Sequence, residues 1–236
     1  MVARPHFILL TAALGAFGAS RASAMPGRLP LAPVAAMRAV QKPPGSGGVE
    51  GRLVMRPEPA RRRAERYPGS ATQAAAVQPI PAVVFLRGAV NGEPSVTTRA
   101  HLIQQDTTFA PSVVIVGAGS TIDFPNGDPF FHNVFSYSPA KRFDLGRFPQ
   151  GESRSVRFDE PGIVRVYCEV HETMRSAVIV TANRFHAIVD IDGSFSIPDV
   201  PAGTWELEVW HADRRGQVVR VTVEPGRITR LTLTLE

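Results

Sequence analysis

Short apolar or alternating runs recur along most of the chain and predict β-strands. From Pro81 onward these runs are rich in Val, Ile, Phe and Thr, and Gly, Pro and Asn turns separate them. The predicted strands are 49–55, 82–86, 112–116, 121–124, 155–158, 163–167, 177–180, 194–197, 205–210, 217–223 and 228–235. Regular spacing of short strands is typical of sandwiches and Greek-key barrels. We therefore expect an all-β protein without long helices.

The composition agrees with this expectation. The chain has 236 residues and is 44% hydrophobic, which is enough for one large domain or two small ones and excludes a disordered protein. Its 21 Pro and 20 Gly argue against a helical bundle or a coiled coil.

The first residues have the pattern of a secretory signal. A basic start is followed by the apolar run Phe7–Ala19 and by Ala22-Ser23-Ala24, a small-x-small cleavage pattern. The apolar run is shorter than the ~20 residues that a membrane-spanning helix needs. We predict a signal peptide over 1–24, a linker over 25–46, export to the periplasm and no transmembrane segment after cleavage; a short uncleaved anchor is the alternative.

The excess of positive over negative charge lies in the N-terminal part of the chain. The net charge is +5, but residues 25–80 contribute +6 and residues 81–236 contribute −3. A nucleic-acid interface would need basic side chains on a folded face with aromatic or helix-terminal groups beside them. The sequence has no such pattern, and we expect no nucleic-acid partner.

The single cysteine stands among residues that can bind a metal. Cys168 begins the pattern Cys-x2-His-x2-Met, which includes His171 and Met174, and His132 precedes it. One thiolate, two imidazoles and a thioether suit one copper ion that cycles between Cu(I) and Cu(II). Zinc rarely accepts Met, and iron–sulfur clusters need several thiolates. The alternative is a buried structural thiol at Cys168 and a core side chain at Met174.

These motifs resemble the cupredoxins, the small blue copper proteins. The similar segments are Thr108–Pro111, Gly119–Asn126, His132–Ser136 and Cys168–Met174. The ligand loop is most similar to that of amicyanin, and the stretch from Arg99 to Ala182 is similar to cupredoxin-containing proteins labelled methylamine-utilisation-like. The resemblance implies a copper domain over 99–183. It also implies that His132, Cys168, His171 and Met174 are the copper ligands and that Asn133 ties the two ligand-bearing loops together by hydrogen bonds.

A second resemblance concerns the C-terminal part. Residues Ile191–Val209 resemble the carboxypeptidase regulatory-like, transthyretin-type β-sandwich family, whose opening strands are similar to Val49–Val54 and Ala82–Leu86. We predict that 47–98 and 184–236 form this small β-sandwich, with a loop at about 56–80, and that the cupredoxin Greek-key β-sandwich is inserted into it. The alternative is two sandwiches in series. The second sandwich has no visible catalytic pattern.

These motifs favour an exported type 1 copper protein that is not an enzyme. It would carry single electrons between periplasmic redox partners such as a c-type cytochrome or a periplasmic dehydrogenase. A multicopper enzyme needs further histidine clusters, and the four remaining His are scattered. We expect His171 to be partly exposed and Phe130 and Phe131 to form a docking patch, because redox encounters use small interfaces. The alternatives are a periplasmic copper-handling protein and an envelope interaction module without a redox role.

Overall fold

The structure is a computed structural model, and it describes residues 45–56, 79–90 and 92–236. The predicted signal peptide, all but the end of the predicted linker and most of the predicted loop at 56–80 lie outside these residues. All named elements of the described part are β-strands, so the all-β class is confirmed. None of the described residues belongs to a helix that is long and apolar enough to cross a membrane.

Within the described residues, seventeen strands form five sheets. They are β1 Ser46–Met55, β2 Val83–Leu86, β3 Arg99–His101, β4 Ile103–Gln105, β5 Thr108–Ala110, β6 Val113–Gly117, β7 Ser120–Pro125, β8 His132–Ser138, β9 Lys141–Phe148, β10 Ser153–Phe158, β11 Gly162–Tyr167, β12 Arg175–Thr181, β13 His186–Ile188, β14 Ser194–Pro201, β15 Gly203–Trp210, β16 Gln217–Val223 and β17 Ile228–Leu235.

The middle of the chain, β3 to β12, forms what we call the central sandwich. One sheet has the strand order β10-β7-β3, the other has the order β6-β12-β11-β8-β9, and β4 and β5 form a separate hairpin. Alternate residues of these strands point into one apolar core, as a period of two requires. Its fully buried aromatic residues are Phe109, Phe124, Phe148 and Phe158.

The strands before and after this segment form the flanking sandwich. Its sheets have the orders β14-β1-β17 and β13-β2-β15-β16. Strand β1 is antiparallel to β14 and parallel to β17, and β2 is antiparallel to both β13 and β15. Val49 and Leu53 of β1 therefore share one apolar core with Leu207 and Val209 of β15. The predicted domain limits and the likeness to the transthyretin-type family stay predictions.

A third apolar layer joins the two sandwiches. Strand β2 sends Val84 and Leu86 into the flanking core and Val83 and Phe85 to its other face. On that side they pack in one cluster with side chains of the central sandwich, and we call this cluster the joining layer. It contains Ile80, Val83, Phe85, Val113, Ala177, Ile179 and Trp210. Strands β2 and β12 are consequently buried on both faces, which explains their almost continuous apolar sequences.

Some strands were not predicted as such from the sequence. The predicted list lacks β3, β4, β5, β8, β9 and β13. Strand β9 is an edge strand in which exposed residues, several of them charged, alternate with partly buried ones. Such strands lack the apolar run that identifies a buried strand, and charged side chains at a sheet edge oppose pairing with other chains. Strand β1 begins at Ser46, the last residue of the predicted linker.

Candidate metal centre

Three of the predicted donor side chains meet at one end of the central sandwich. The Cys168 Sγ lies 3.7 Å from the Nδ1 of His132 and 3.9 Å from the Nδ1 of His171. The three donor atoms all lie within 4.8 Å of one another, and the described residues contain no other such group. Cys168 and His132 are buried, and His171 is partly exposed.

The loop between β11 and β12 presents Cys168 and His171. Cys168 directly follows β11, and its backbone N–H donates to the Met174 carbonyl at 3.2 Å. The Met174 N–H in turn donates to the His171 carbonyl at 3.0 Å. These two bonds close a tight loop whose ends belong to paired strands. The Met174 side chain is buried in the same core cluster as Cys168, at the end of this loop.

His132 is the first residue of β8 and follows a loop that hydrogen bonds hold in place. Asn126 organises this loop, since its Nδ2 donates to the carbonyls of Phe130 and Phe148 at 2.8 and 3.0 Å. Its Oδ1 accepts from the Asp128 N–H at 2.9 Å. The conformation of the loop is therefore set by a buried side chain that belongs to it.

Asn133 connects the two donor-bearing segments. Its Oδ1 accepts from the Glu169 N–H at 3.1 Å, directly after Cys168. Its Nδ2 donates to Asp144 Oδ1 at 2.7 Å, and the same oxygen accepts from the Gly146 N–H at 2.8 Å. Gly146 has φ +63° where the register of β8 and β9 shifts, so a bulge in β9 aims Asp144 at Asn133.

A buried carboxylate contacts the other nitrogen of His132. Asp128 Oδ2 lies 2.7 Å from His132 Nε2. The two oxygens of Asp128 also accept from the N–H groups of Asp106 and Thr107, at 2.7 and 3.0 Å. Burial raises the pKa of Asp128, but the hydrogen bonds from Thr107, His132 and Asp106 outweigh it, so the pKa lies below its ordinary value. Asp128 is not among the site residues predicted from the sequence; its place four residues before His132 was the available signal.

His171 and Phe130 form the outer side of the site. Burial lowers the pKa of His171, nearby His132 lowers it further, and Asp128 acts in the opposite direction. The Phe130 ring lies with its centroid 5.1 Å from that of His132 and 5.6 Å from that of His171. Phe130 is 41% exposed and the next residue, Phe131, is 56% exposed, so large apolar side chains reach the surface on this side of the site.

The flanking sandwich contacts the strand that follows the donor loop. Arg175, directly after Met174, pairs through both terminal nitrogens with the Asp213 carboxylate at 2.6 and 2.7 Å. Asp213 lies between β15 and β16. The hydrogen bond from Arg175 lowers the pKa of Asp213, and it raises the pKa of Arg175.

The three other histidines of the described residues are outside the donor group. His101 lies 3.7 Å from Asp123, and His211 Nδ1 accepts from the Asp213 N–H at 3.1 Å. Burial lowers the pKa of His186. His6 lies outside the described residues.

The donor spacing fits a metal ion. For metal–sulfur and metal–nitrogen bonds of about 2.3 and 2.0 Å, a planar 120° arrangement places sulfur and nitrogen about 3.7 Å apart. The observed separations of 3.7 and 3.9 Å agree with this value. The donor group can therefore take an ion without rearrangement of its loops.

Comparison with known proteins gives similarity to solved structures only. No family model and no curated protein matches the chain. A purple cupredoxin from Nitrosopumilus maritimus is 22% identical, with 35% of this chain and 99% of that chain covered and a TM-score of 0.32. Amicyanin from Paracoccus versutus (Thiobacillus versutus) is 21% identical, with 41% of this chain and 96% of that chain covered and a TM-score of 0.33. A copper-containing nitrite reductase from Thermus scotoductus SA-01 is 22% identical, with 54% of this chain and 28% of that chain covered and a TM-score of 0.33.

Proposed function

We propose that this protein is an exported mononuclear type 1 copper protein that carries single electrons. His132, Cys168, His171 and Met174 would hold the ion. A bound copper ion supplies a one-electron couple between Cu(I) and Cu(II). The observation that carries the proposal is the position of one buried thiol between the Nδ1 atoms of two histidines, at 3.7 and 3.9 Å.

The chemistry of the donors favours copper over other metals. Two imidazoles, a thiolate and a nearby thioether are the set that type 1 copper sites use. Zinc sites are closed by Cys, His or carboxylates, and a buried Met in the same core cluster as Cys168 is not a zinc ligand. Cys168 is the single cysteine of the chain, so an iron–sulfur cluster has too few thiolates.

Rigid support of the donors suits electron transfer. Asn126, Asn133 and the backbone bonds of the donor loop hold the side chains before any ion arrives. A site that keeps its geometry in both oxidation states needs little reorganisation when an electron moves. Buried His132 and Met174 exclude water, whereas partly exposed His171 provides a route to the surface.

The apolar surface beside His171 is the proposed docking site for redox partners. Phe130 and Phe131 are exposed there, and transient electron-transfer complexes use small interfaces of this kind. We propose a c-type cytochrome or a periplasmic dehydrogenase as partner, because the predicted signal peptide would direct the chain to the periplasm. We infer a carrier and not an enzyme, since the described residues hold a single donor group of this type.

The decisive experiment is the visible absorption and electron paramagnetic resonance of the purified protein after addition of Cu(II). We expect an intense thiolate-to-Cu(II) band and a reversible one-electron titration. Cys168→Ser should abolish the band, because the thiolate is the donor of that transition. Met174→Leu is the matched control: it should keep the colour and raise the potential, since the thiolate and both imidazoles remain and only the thioether is removed.

Two outcomes would contradict the proposal. If Cys168→Ser were still blue, the ligand assignment would be wrong. If the wild-type protein lacked the band and released Cu(I) readily to a chelator, copper handling and not electron transfer would be its function.

A further inference from the structure

The carboxylate of Asp128 is anchored in a way that suggests a role at the metal site. Asp128 is 4% exposed, and both of its oxygens accept a backbone N–H, from Asp106 to Oδ1 and from Thr107 to Oδ2. His132 Nε2 lies 2.7 Å from Oδ2 and is the third partner. A buried charge is stable only when hydrogen bonds satisfy it, and three partners meet this need.

This geometry fixes the location of the proton on His132. An ionised carboxylate has no hydrogen to donate, so in this 2.7 Å contact His132 Nε2 is the donor. In the neutral ring the lone pair is then on Nδ1, which lies 3.7 Å from Cys168 Sγ. The nitrogen that faces the thiol is therefore ready to bind a metal.

The backbone that supports Asp128 is itself strained. Asp106 and Thr107 form the two-residue turn between β4 and β5, and both have positive φ, 53° and 57°. Such a turn suits Asn and Gly, whereas a β-branched residue in this region costs on the order of 1–3 kcal/mol. The conformation turns the N–H groups of both residues toward the Asp128 carboxylate. The rest of the fold thus maintains an unfavourable turn whose N–H groups hold the carboxylate that contacts His132.

We propose that Asp128 is a positioning residue that holds His132 with its proton on Nε2 and whose charge stabilises Cu(II) relative to Cu(I). The effect of Asp128 on copper rests on the proposed function. The position of the proton on His132 does not depend on it. A carboxylate partner makes the imidazole a stronger donor, and loss of such partners typically weakens metal binding by about 10–100-fold. A negative charge in a poorly solvated site favours the ion of higher positive charge.

Asp128→Asn tests the charge at nearly constant shape. We expect the affinity for Cu(II) to fall at least tenfold relative to that for Cu(I), which for a one-electron couple raises the potential by about 59 mV per tenfold change. Glu169→Gln is the matched control, because Glu169 directly follows Cys168 but is exposed. It should change the affinity ratio less than threefold. An equal shift in the two variants would overturn the proposal, since the loss of any nearby charge would then explain it.

A measurement on the metal-free wild-type protein keeps the proposal testable even if Asp128→Asn does not fold. Two-bond ¹H–¹⁵N correlation spectra at about pH 8, above the ordinary imidazole pKa of about 6.5, report which nitrogen of each histidine carries hydrogen. We expect hydrogen on Nε2 of His132, which faces the Asp128 carboxylate, and exchange of hydrogen between the two ring nitrogens of exposed His101. An Nε2 of His132 that carries no hydrogen would refute the proposal. Because this spectrum needs no copper, it separates a failure of this inference from a failure of the proposed function.

Discussion

The central and flanking sandwiches are built from similar strands but bury different side chains. The flanking core consists of aliphatic side chains and Phe; Ser46 is the buried polar residue of its described strands, and Asn183 is buried in the segment that leads from the central sandwich into it. The central sandwich buries ten polar residues, several of them around the donor group. They are Gln104, Ser120, Asp123, Asn126, Asp128, His132, Asn133, Ser136, Ser176 and Thr181.

This difference shows that precise side-chain geometry is needed mainly in the central sandwich. A buried polar group without a partner costs about 1–3 kcal/mol, so each one must be matched with donors or acceptors at defined positions. An apolar core needs no such directional partners and tolerates substitutions that keep its volume and pattern. The flanking sandwich supplies apolar packing, and the central sandwich holds its donor side chains in place by means of a hydrogen-bond network.

The largest effect is expected where the two sandwiches meet. Ile179 is fully buried in the joining layer, and Ile179→Asp places a charge there, which should reduce the free energy of unfolding by more than about 4 kcal/mol. Urea unfolding can be followed at Trp205 and Trp210 in the flanking sandwich and by the reactivity of Cys168 in the central sandwich. Both probes should report the same loss, because the layer is shared.

The milder Ile179→Val should reduce the free energy of unfolding by about 0.5–1.5 kcal/mol, and both probes should again report the same loss. Ser153→Asp, at an exposed position of β10, should change the free energy of unfolding by less than about 0.5 kcal/mol. If only one of the probes responded to the changes at Ile179, the two sandwiches would unfold independently and the joining layer would not couple them.

Two buried asparagines allow a comparison between a residue that supports the fold and one that also orders the donor loop. Asn133 is hydrogen-bonded beside the donors, and Asn183 makes a similar set of bonds to Leu86, Gly88 and Phe185 at 2.8–2.9 Å. Asn133→Ala and Asn183→Ala should each reduce the free energy of unfolding by about 1–3 kcal/mol. Only Asn133→Ala should increase the rate at which a thiol reagent modifies Cys168. Equal rates in the two variants would mean that Asn133 does not order the donor loop.

The smallest effect is expected from a polar bridge away from the donors, and it depends on pH. Asp123 accepts from Ser155 at 2.5 Å and from Arg99 at 2.6 Å, and these bonds hold its pKa below the ordinary 3.8. The folded state therefore favours the ionised carboxylate. The stabilisation is complete above pH 3.8 and is lost as the pH falls through the lower pKa of the folded state.

Asp123→Asn should accordingly cost about 1 kcal/mol at neutral pH, because Arg99 is largely exposed and solvent screens the pair. Thermal unfolding of the two proteins should converge in acid. Exposed Asp159→Asn is the control and should have little effect at any pH. A difference between Asp123→Asn and wild type that persists in strong acid would show that side-chain shape, and not charge, is responsible.

The sequence allowed prediction of the strands whose apolar runs are long. Strands β16 and β17 have the predicted bounds, because alternation of period two identifies a strand with one buried face. The short strand β3 and the polar edge strand β9 were missed. Their pairing depends on neighbours that lie elsewhere in the chain, and the local pattern contains no information about those neighbours.

By itself, the sequence determined the all-β class and brought Cys168, His171 and Met174 together, because a loop of seven residues cannot separate them far. Only the tertiary structure decided what surrounds these donors. Asp128 meets the turn at Asp106 and Thr107 across 22 and 21 residues, and Arg175 meets Asp213 across 38. Hydrogen bonds between distant segments depend on strand register and sheet order, which are set by the packing of the whole chain. For this reason the candidate ligands could be identified from spacing, whereas the carboxylate that holds His132 could be recognised only in the folded protein.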